Sequence, residues 1–206
     1  MRIVALPENK WDEFYKTADA SLAAVLGELE THREFILELA RQHPKTAIEV
    51  GCGPARISAF LSLLGISITA VDRDTGVLAR AARIAAELHS GVKFVEADAF
   101  SLPFPDSSFD VAFHQGLLEH FTDDQIRKLI AEQLRVARSV VFSVPNHHYP
   151  EREFGDERLL SRKQWRRILK PFKTTRSTNY CRPVCKLLGR ITWRKPPIMY
   201  LARIER

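Results

Sequence analysis

The sequence predicts an α/β fold: a doubly wound, mostly parallel sheet with helices on both faces and an antiparallel strand at its C-terminal end. Three observations predict it. Short apolar runs rich in Val, Ile and Phe recur between residues 47 and 144. Helical patterns separate most of these runs, which implies parallel strands joined by crossover helices. A Gly-x-Gly turn, Gly51-Cys52-Gly53, follows the first run directly. In such sheets a ligand lies beyond the carboxyl ends of the strands, where strand order reverses.

The elements follow in order. Residues 8–43 read as helical. Thr31-His32-Arg33-Glu34 has the S/T-x-x-E form of a capping box, so a helix is predicted to start there. Phe35, Ile36, Leu39 and Ala40 give it an apolar face, and Pro44 closes it. A strand over 47–51 leads through the glycine turn into a helix over 54–64. A strand over 67–72 precedes an Ala-rich helix over 75–88. Strands follow at 92–97 and 109–114. Thr122 caps a helix over 123–136, and a fifth strand, 139–144, stops at Pro145. Residues 146–160, NHHYPEREFGDERLL, form a polar stretch too long for a simple connection, the usual signature of a lid or binding loop. Ser161 caps a basic helix, Arg162 to Lys170, with Trp165, Ile168 and Leu169 on one face. Strands over 172–180 and 197–205 are expected to add an antiparallel edge.

The 206 residues suffice for one domain with a full core, divided here into N-terminal helices (1–45), a core (46–145) and a C-terminal part (146–206). No apolar run approaches the roughly 20 residues of a membrane span. The N-terminus lacks a long apolar stretch and turns acidic early, so it does not read as a secretion signal. Three cysteines, Cys52, Cys181 and Cys185, are too few and odd in number for a disulfide framework. A cytoplasmic location is expected. The net charge of +6 hides an asymmetry. Residues 1–157 carry 16 Lys and Arg against 24 acids, whereas 158–206 carry 15 against the single acid Glu205. The basic segment is either a solvated edge facing an acidic body or a surface for RNA, anionic lipid or an acidic partner.

The glycine turn departs from the dinucleotide fingerprint G-x-G-x-x-G, because Arg56 stands at the third glycine position. That argues against NAD. Three acids raise the specificity of the signal. Asp72 lies 21 residues after Gly51 at the end of the second strand, where a carboxylate accepts bonds from ribose hydroxyls. Asp98 ends the third strand, placed to accept from an adenine amino group. Glu49 sits inside the first strand, where an unpaired acid is costly to bury. A cationic part of a ligand, or the N–H groups of the turn, would offset that cost.

The stretches EVGCGPARISAF, AVDRD and VEADAFSLPFPDSSFDVAFHQGLLEHF resemble the class I S-adenosylmethionine-dependent methyltransferases. They are most similar to the small-molecule subset called methyltransferase type 11, which includes ubiquinone and menaquinone C-methyltransferases. The resemblance covers roughly residues 45–145. It implies a Rossmann-like seven-stranded sheet whose last strand is antiparallel, and S-adenosylmethionine as cofactor. It implies that Gly51, Cys52 and Gly53 approach the methionine part and that Glu49 steadies the turn. Asp72 would hold the ribose, with Arg73 beside the adenine. Asp98 and the backbone of Ala99 would face the adenine amino group. His114 and Gln115 would line the methionine end and the substrate. His120, in "LEH", matches a position that is more structural than catalytic.

Methyl transfer is an in-line displacement, so alignment supplies much of the rate. A base is needed only where the acceptor must lose a proton, and a neutral imidazole suits that near pH 7. Candidates are His114, His147 and His148, with Tyr149 as an acceptor-positioning hydroxyl. The His147-His148 pair has no third ligand at suitable spacing, so no metal is expected. Trp11, Phe14 and Tyr15 would close the other side of the site. The expected reaction is methyl transfer to a small molecule. The alternatives are an RNA methyltransferase using the basic segment, against which stands the lack of an Asn-Pro-Pro-Tyr-like stretch, or a non-catalytic cofactor-binding partner protein. The helix around Arg162–Lys170 could also rest on anionic lipid.

Overall fold

The computed structural model describes residues 10–17, 19, 21–150, 156–181, 184–187, 190–194 and 196–206. Residues 8 and 9 of the expected first helix, and 151–155 of the expected lid loop, lie outside them. The chain opens with α1 (Lys10–Phe14), a 3-10 turn (Tyr15–Thr17), α2 (Leu22–Thr31) and α3 (Arg33–Ala40). Alternation then begins: β1 (Thr46–Val50), α4 (Arg56–Leu63), β2 (Ser67–Asp72), α5 (Thr75–Glu87), β3 (Lys93–Glu96) and β4 (Phe109–Gln115). A 3-10 turn (Leu118–His120), α6 (Asp123–Val136) and β5 (Ala137–Pro145) complete the parallel part. The C-terminal part holds α7 (Arg162–Ile168), β6 (Lys173–Tyr180), β7 (Val184–Leu187), β8 (Arg190–Arg194) and β9 (Met199–Glu205).

The main sheet has seven strands in the order β3-β2-β1-β4-β5-β9-β6. β1 to β5 pair in parallel, and β9 runs antiparallel to both β5 and β6. The last strand is therefore the antiparallel one, as expected, but it is not the edge. It is inserted between β5 and β6, and β6 forms the rim. A separate hairpin, β7–β8, was not foreseen in the sequence. Strand order reverses between β1 and β4, so the cleft at their carboxyl ends is where a ligand is expected.

Side chains alternate between the faces of a strand, and this sorts the core. Ala47, Val111, Phe113 and Val141 pack with Phe35 and Leu39 of α3 and with Ile57 and Leu61 of α4. Ile48, Val50, Ala112, Val140 and Phe142 pack on the other face against Ile126, Leu129 and Ile130 of α6 and Trp165, Ile168 and Leu169 of α7. Trp165 is fully buried, stacked on Tyr200 at 5.5 Å and tilted against Phe142 at 5.3 Å. The apolar face of α7 is thus core, and its basic residues are exposed on the other side.

Local signals had mixed outcomes. Thr122 and Ser161 cap their helices in full capping boxes with Gln125 and Gln164. Thr31 does not cap. Its hydroxyl donates back to the Gly27 carbonyl at 2.9 Å, because α2 runs through Thr31 before the chain turns at His32. Ser21 is the N-cap that starts α2, and α3 begins without a side-chain cap bond.

Candidate active site

The turn after β1 is built on left-handed backbone. Gly51 and Gly53 have φ of +65° and +51°, and Ala55 shares that region at 52°. Side-chain ends also approach both glycines closely. A Cβ on Gly51 would stand 2.9 Å from Leu117 Cδ1, and one on Gly53 would stand 2.9 Å from the Tyr15 hydroxyl. Asp72 ties this turn to the end of β2: its carboxylate accepts from Gly53 N–H at 3.2 Å and from Asp74 N–H at 3.1 Å. Burial raises the pKa of Asp72, and those N–H groups oppose the rise.

Glu49 projects from β1 toward α4 and accepts a 2.5 Å bond from the Ser58 hydroxyl. Burial pushes its carboxyl up to about 8, against the stabilising Ser58 bond. It is therefore mostly protonated at neutral pH. A cation arriving beside it would favour the ionised form. Burial raises the Cys52 thiol well above its usual range, so Cys52 acts as a small side chain in the turn rather than as a nucleophile.

A cavity of about 470 Å³ runs from this turn past the carboxyl ends of β4 and β5. Glu49, Gly51, Cys52, Gln115 and Tyr149 line it, as do Trp11, Phe14 and Tyr15. Gly53, Asp72, Arg73, Asp98 and Ala99 do not border it. Tyr15 stands over Gly53, and Asp12 packs on Gly76 and pairs with Arg80 at 2.9 Å. This N-terminal segment covers the β2 side of the cleft. Burial, with the negative charges of Asp72, Glu28 and Glu119, raises the Tyr15 pKa. Arg73 and Asp98 are exposed, and the Asp98 carboxylate accepts from Phe100 N–H at 2.9 Å.

The structure does not bring the candidate bases together. His114 is fully buried on the α6–α7 face, stacked on Phe142 at 5.5 Å and 9°. The reason is strand parity. His114 pairs with Phe142 across β4 and β5 and shares the face of Ala112, away from the cavity. Burial takes its pKa down to about 3, so it stays neutral and dry. The expectation that His114 lines the methionine end is thereby corrected. His147 and His148 are exposed, their rings 3.9 Å apart, and neither lines the cavity. They stand off the cavity wall, where Asn146 accepts from the His148 N–H and donates to the Pro197 carbonyl.

Two other imidazoles do line the cavity, His32 and His120. His32 Nδ1 lies 2.9 Å from the Tyr180 hydroxyl, and burial lowers its pKa to about 4. His120 Nδ1 lies 3.1 Å from Asp156 Oδ1, and its ring meets Trp11 edge-on at 5.1 Å. The "LEH" stretch was the available signal for His120. Its partner Asp156 is 36 residues away, so only the fold joins them. Among the described residues no group of three or more His, Cys, Asp or Glu could hold a metal ion, and no helix is long and apolar enough to cross a membrane. The Cys185 side chain lies outside the described residues, so the Cys181–Cys185 pair is not placed.

Comparison with known proteins agrees with this architecture. The family model Methyltransf_25, a methyltransferase domain, matches residues 47–139. A probable chloroplastic tocopherol O-methyltransferase of Oryza sativa is 33% identical over 106 residues, 48% of this chain and 27% of that protein. The chain spans less than half the length of the curated relatives it first matches. The crystal structure of PH0226 from Pyrococcus horikoshii superposes with a TM-score of 0.72 at 15% identity, covering 94% of this chain and 98% of that one. That of an S-adenosylmethionine-dependent methyltransferase from Aquifex aeolicus gives 0.65 at 14% identity, covering 97% and 98%.

The fold is that of the class I methyltransferases. Residues 47–139 match a methyltransferase domain, and the whole chain shares its fold with a solved S-adenosylmethionine-dependent methyltransferase. The residues present fit the group chemically. Buried Glu49 at the turn suits a cationic amino acid tail, and Asp72, on the neighbouring strand, suits vicinal hydroxyls.

Proposed function

We propose that the protein methylates a small-molecule acceptor held in the cavity beyond β4 and β5. The observation that carries this reading is the cavity itself, a half-open cleft that joins the glycine turn to His120. Bound S-adenosylmethionine supplies an electrophilic methyl group. The protein's task is alignment, exclusion of water and, where the acceptor bears a proton, its removal.

Glu49, Gly51, Cys52, Gly53 and Gln115 would hold the methionine end, and Asp72, Arg73, Asp98 and Ala99 the nucleoside. Trp11, Phe14 and Tyr15 form the cover, and admission of the nucleoside against Asp72 requires this segment to shift. His120 is the base this geometry favours. If Nδ1–H donates to Asp156, Nε2 is the basic nitrogen of the neutral ring. Tyr149, in the same wall, would position the acceptor.

Calorimetric titration with S-adenosylmethionine, S-adenosylhomocysteine and NAD tests the reading. Micromolar binding of the first two and none of NAD is expected; binding of NAD alone would overturn it. A second readout follows from Glu49. Its carboxyl is raised to about 8, so a cationic ligand that pairs with it drives a proton off below that pH. Titrations at pH 7 in buffers of different ionisation enthalpy should show net proton release, and Glu49→Gln should abolish it. Affinity should strengthen as pH rises toward 8.

A further inference from the structure

A chain of three buried, hydrogen-bonded side chains ends at the cavity. His32, at the corner between α2 and α3, is buried and borders the cavity. Its Nδ1 lies 2.9 Å from the Tyr180 hydroxyl, which in turn lies 2.5 Å from the Ser143 hydroxyl. Ser143 is on β5 and Tyr180 on β6, the two strands that flank β9. Ser143 shares the α3 face of the sheet with Val141, two residues before it. The Tyr180 phenol therefore crosses over β9 to reach both partners. Ser143 and Tyr180 are themselves buried.

Proton counting fixes the direction of this chain. Burial lowers the His32 pKa to about 4, so the ring is neutral and carries one N–H. Burial raises the Tyr180 phenol well above its usual range, so it keeps its proton, and the Ser143 hydroxyl has one of its own. Among the described residues neither hydroxyl makes another hydrogen bond. Only one arrangement then pairs both hydroxyl protons: Ser143 O–H donates to the Tyr180 oxygen, and Tyr180 O–H donates to His32 Nδ1. Were Nδ1–H the donor instead, one hydroxyl proton would be buried without a partner, a cost that folded proteins avoid. The single ring proton therefore resides on Nε2, which bonds nothing among the described residues. We infer that His32 presents Nε2–H to the cavity as a fixed hydrogen-bond donor, and that this donor docks a carbonyl oxygen of the methyl acceptor. This rests on the methyltransferase reading above and names a feature of its substrate. A carbonyl oxygen has lone pairs and no proton to place elsewhere, whereas an ammonium group offers only donors. A neutral ring also supplies no charge to offset the desolvation of an anion, which favours an uncharged oxygen.

The first test reads the tautomer. The whole chain, with isotope-labelled histidine, is measured by nitrogen NMR at pH 7, and the His32 signals are assigned by their loss in His32→Phe. The expected spectrum has His32 Nδ1 unprotonated and Nε2 carrying the proton. Tyr180→Phe should free the ring to place its proton on either nitrogen and give averaged shifts. A proton on Nδ1, or a spectrum indifferent to Tyr180→Phe, overturns the inference. The second test reads the docking. The chain saturated with S-adenosylhomocysteine is titrated with aryl alkyl ketones, the alkylbenzenes of the same shape and the corresponding aryl-alkyl amines. Ketones should bind about tenfold more tightly than the hydrocarbons, the effect of one buried hydrogen bond, and more tightly than the amines. His32→Phe should remove that preference while hydrocarbon and S-adenosylhomocysteine affinities are retained; a purely structural role would weaken all probes alike. A preference unchanged in His32→Phe, tighter binding of the amines, or no ketone binding overturns the docking while the methyltransferase reading stands. Failure of S-adenosylhomocysteine to bind overturns that reading, and the docking with it.

Discussion

The carboxyl-end rim of the sheet and its α6–α7 face treat polar side chains in opposite ways. The rim gathers Glu49, Glu119, His120, Tyr149 and Glu157 around one cavity. The α6–α7 face stacks Trp165, Tyr200 and Phe142, and holds even His114 without solvent. His114 and His120 are six residues apart, yet one is packing and the other borders the candidate site. Residue type alone therefore assigns no role here; the face of the strand or turn does. The cations of the C-terminal segment follow the same division. Lys163, Arg166 and Arg167 of α7, and Lys170 just after it, are exposed while the apolar side of the helix is core.

The comparison can be broken most sharply at Trp165. Trp165→Ala removes a fully buried ring and should cost about 3–5 kcal/mol of stability in denaturant unfolding. A loss under about 1 kcal/mol would show that α7 is peripheral to the core rather than part of it. Next in size is a change on the rim. Asp72→Ala should weaken S-adenosylmethionine binding by about 1.5–3 kcal/mol, roughly 10- to 150-fold, by deleting bonds to a charged acceptor. Unchanged affinity by calorimetry would remove Asp72 from the site.

His114 sharpens the contrast through pH. Its folded pKa, about 3, lies below the ordinary 6.5. The contribution of the neutral imidazole is therefore complete above pH 6.5 and is lost as pH falls toward 3. By pH 5 the loss is about 2 kcal/mol from linkage. His114→Phe, stacked on Phe142 in the same way, should flatten the acid limb of stability against pH. Superimposable acid limbs would contradict a dry, neutral His114. The smallest effect is expected on the outer side of α7. Replacing Lys163, Arg166, Arg167 and Lys170 together by Gln should change stability by no more than about 0.5 kcal/mol. Cofactor affinity should be untouched, and a clear drop in it would mean that the basic segment and the rim are not separate.

Much of the architecture was legible in the chain. The parallel core, the glycine turn, the caps at Thr122 and Ser161 and the core face of α7 follow from apolar periodicity and turn chemistry, which are local. The Thr31 box misled because a helix can run through such a motif when its preceding turn is already formed. The β7–β8 hairpin carries little alternating pattern, and the place of β9 inside β6 depends on pairing between distant strands. The burial of His114 has a similar reason. Strand end was legible, but which way a side chain faces at that end was not.

The sequence by itself determined that a nucleotide-type turn follows β1, that acids stand at successive strand ends, and that helices cross between parallel strands. These depend on short-range sterics, hydrogen bonding and the two periodicities of the backbone. Only the tertiary structure decided that His114 is core and His120 borders the cavity beside Asp156. It alone laid Tyr15 over Gly53. Those outcomes are set by register and by contacts between residues dozens of positions apart, because packing fixes the direction of a side chain that sequence spacing leaves open.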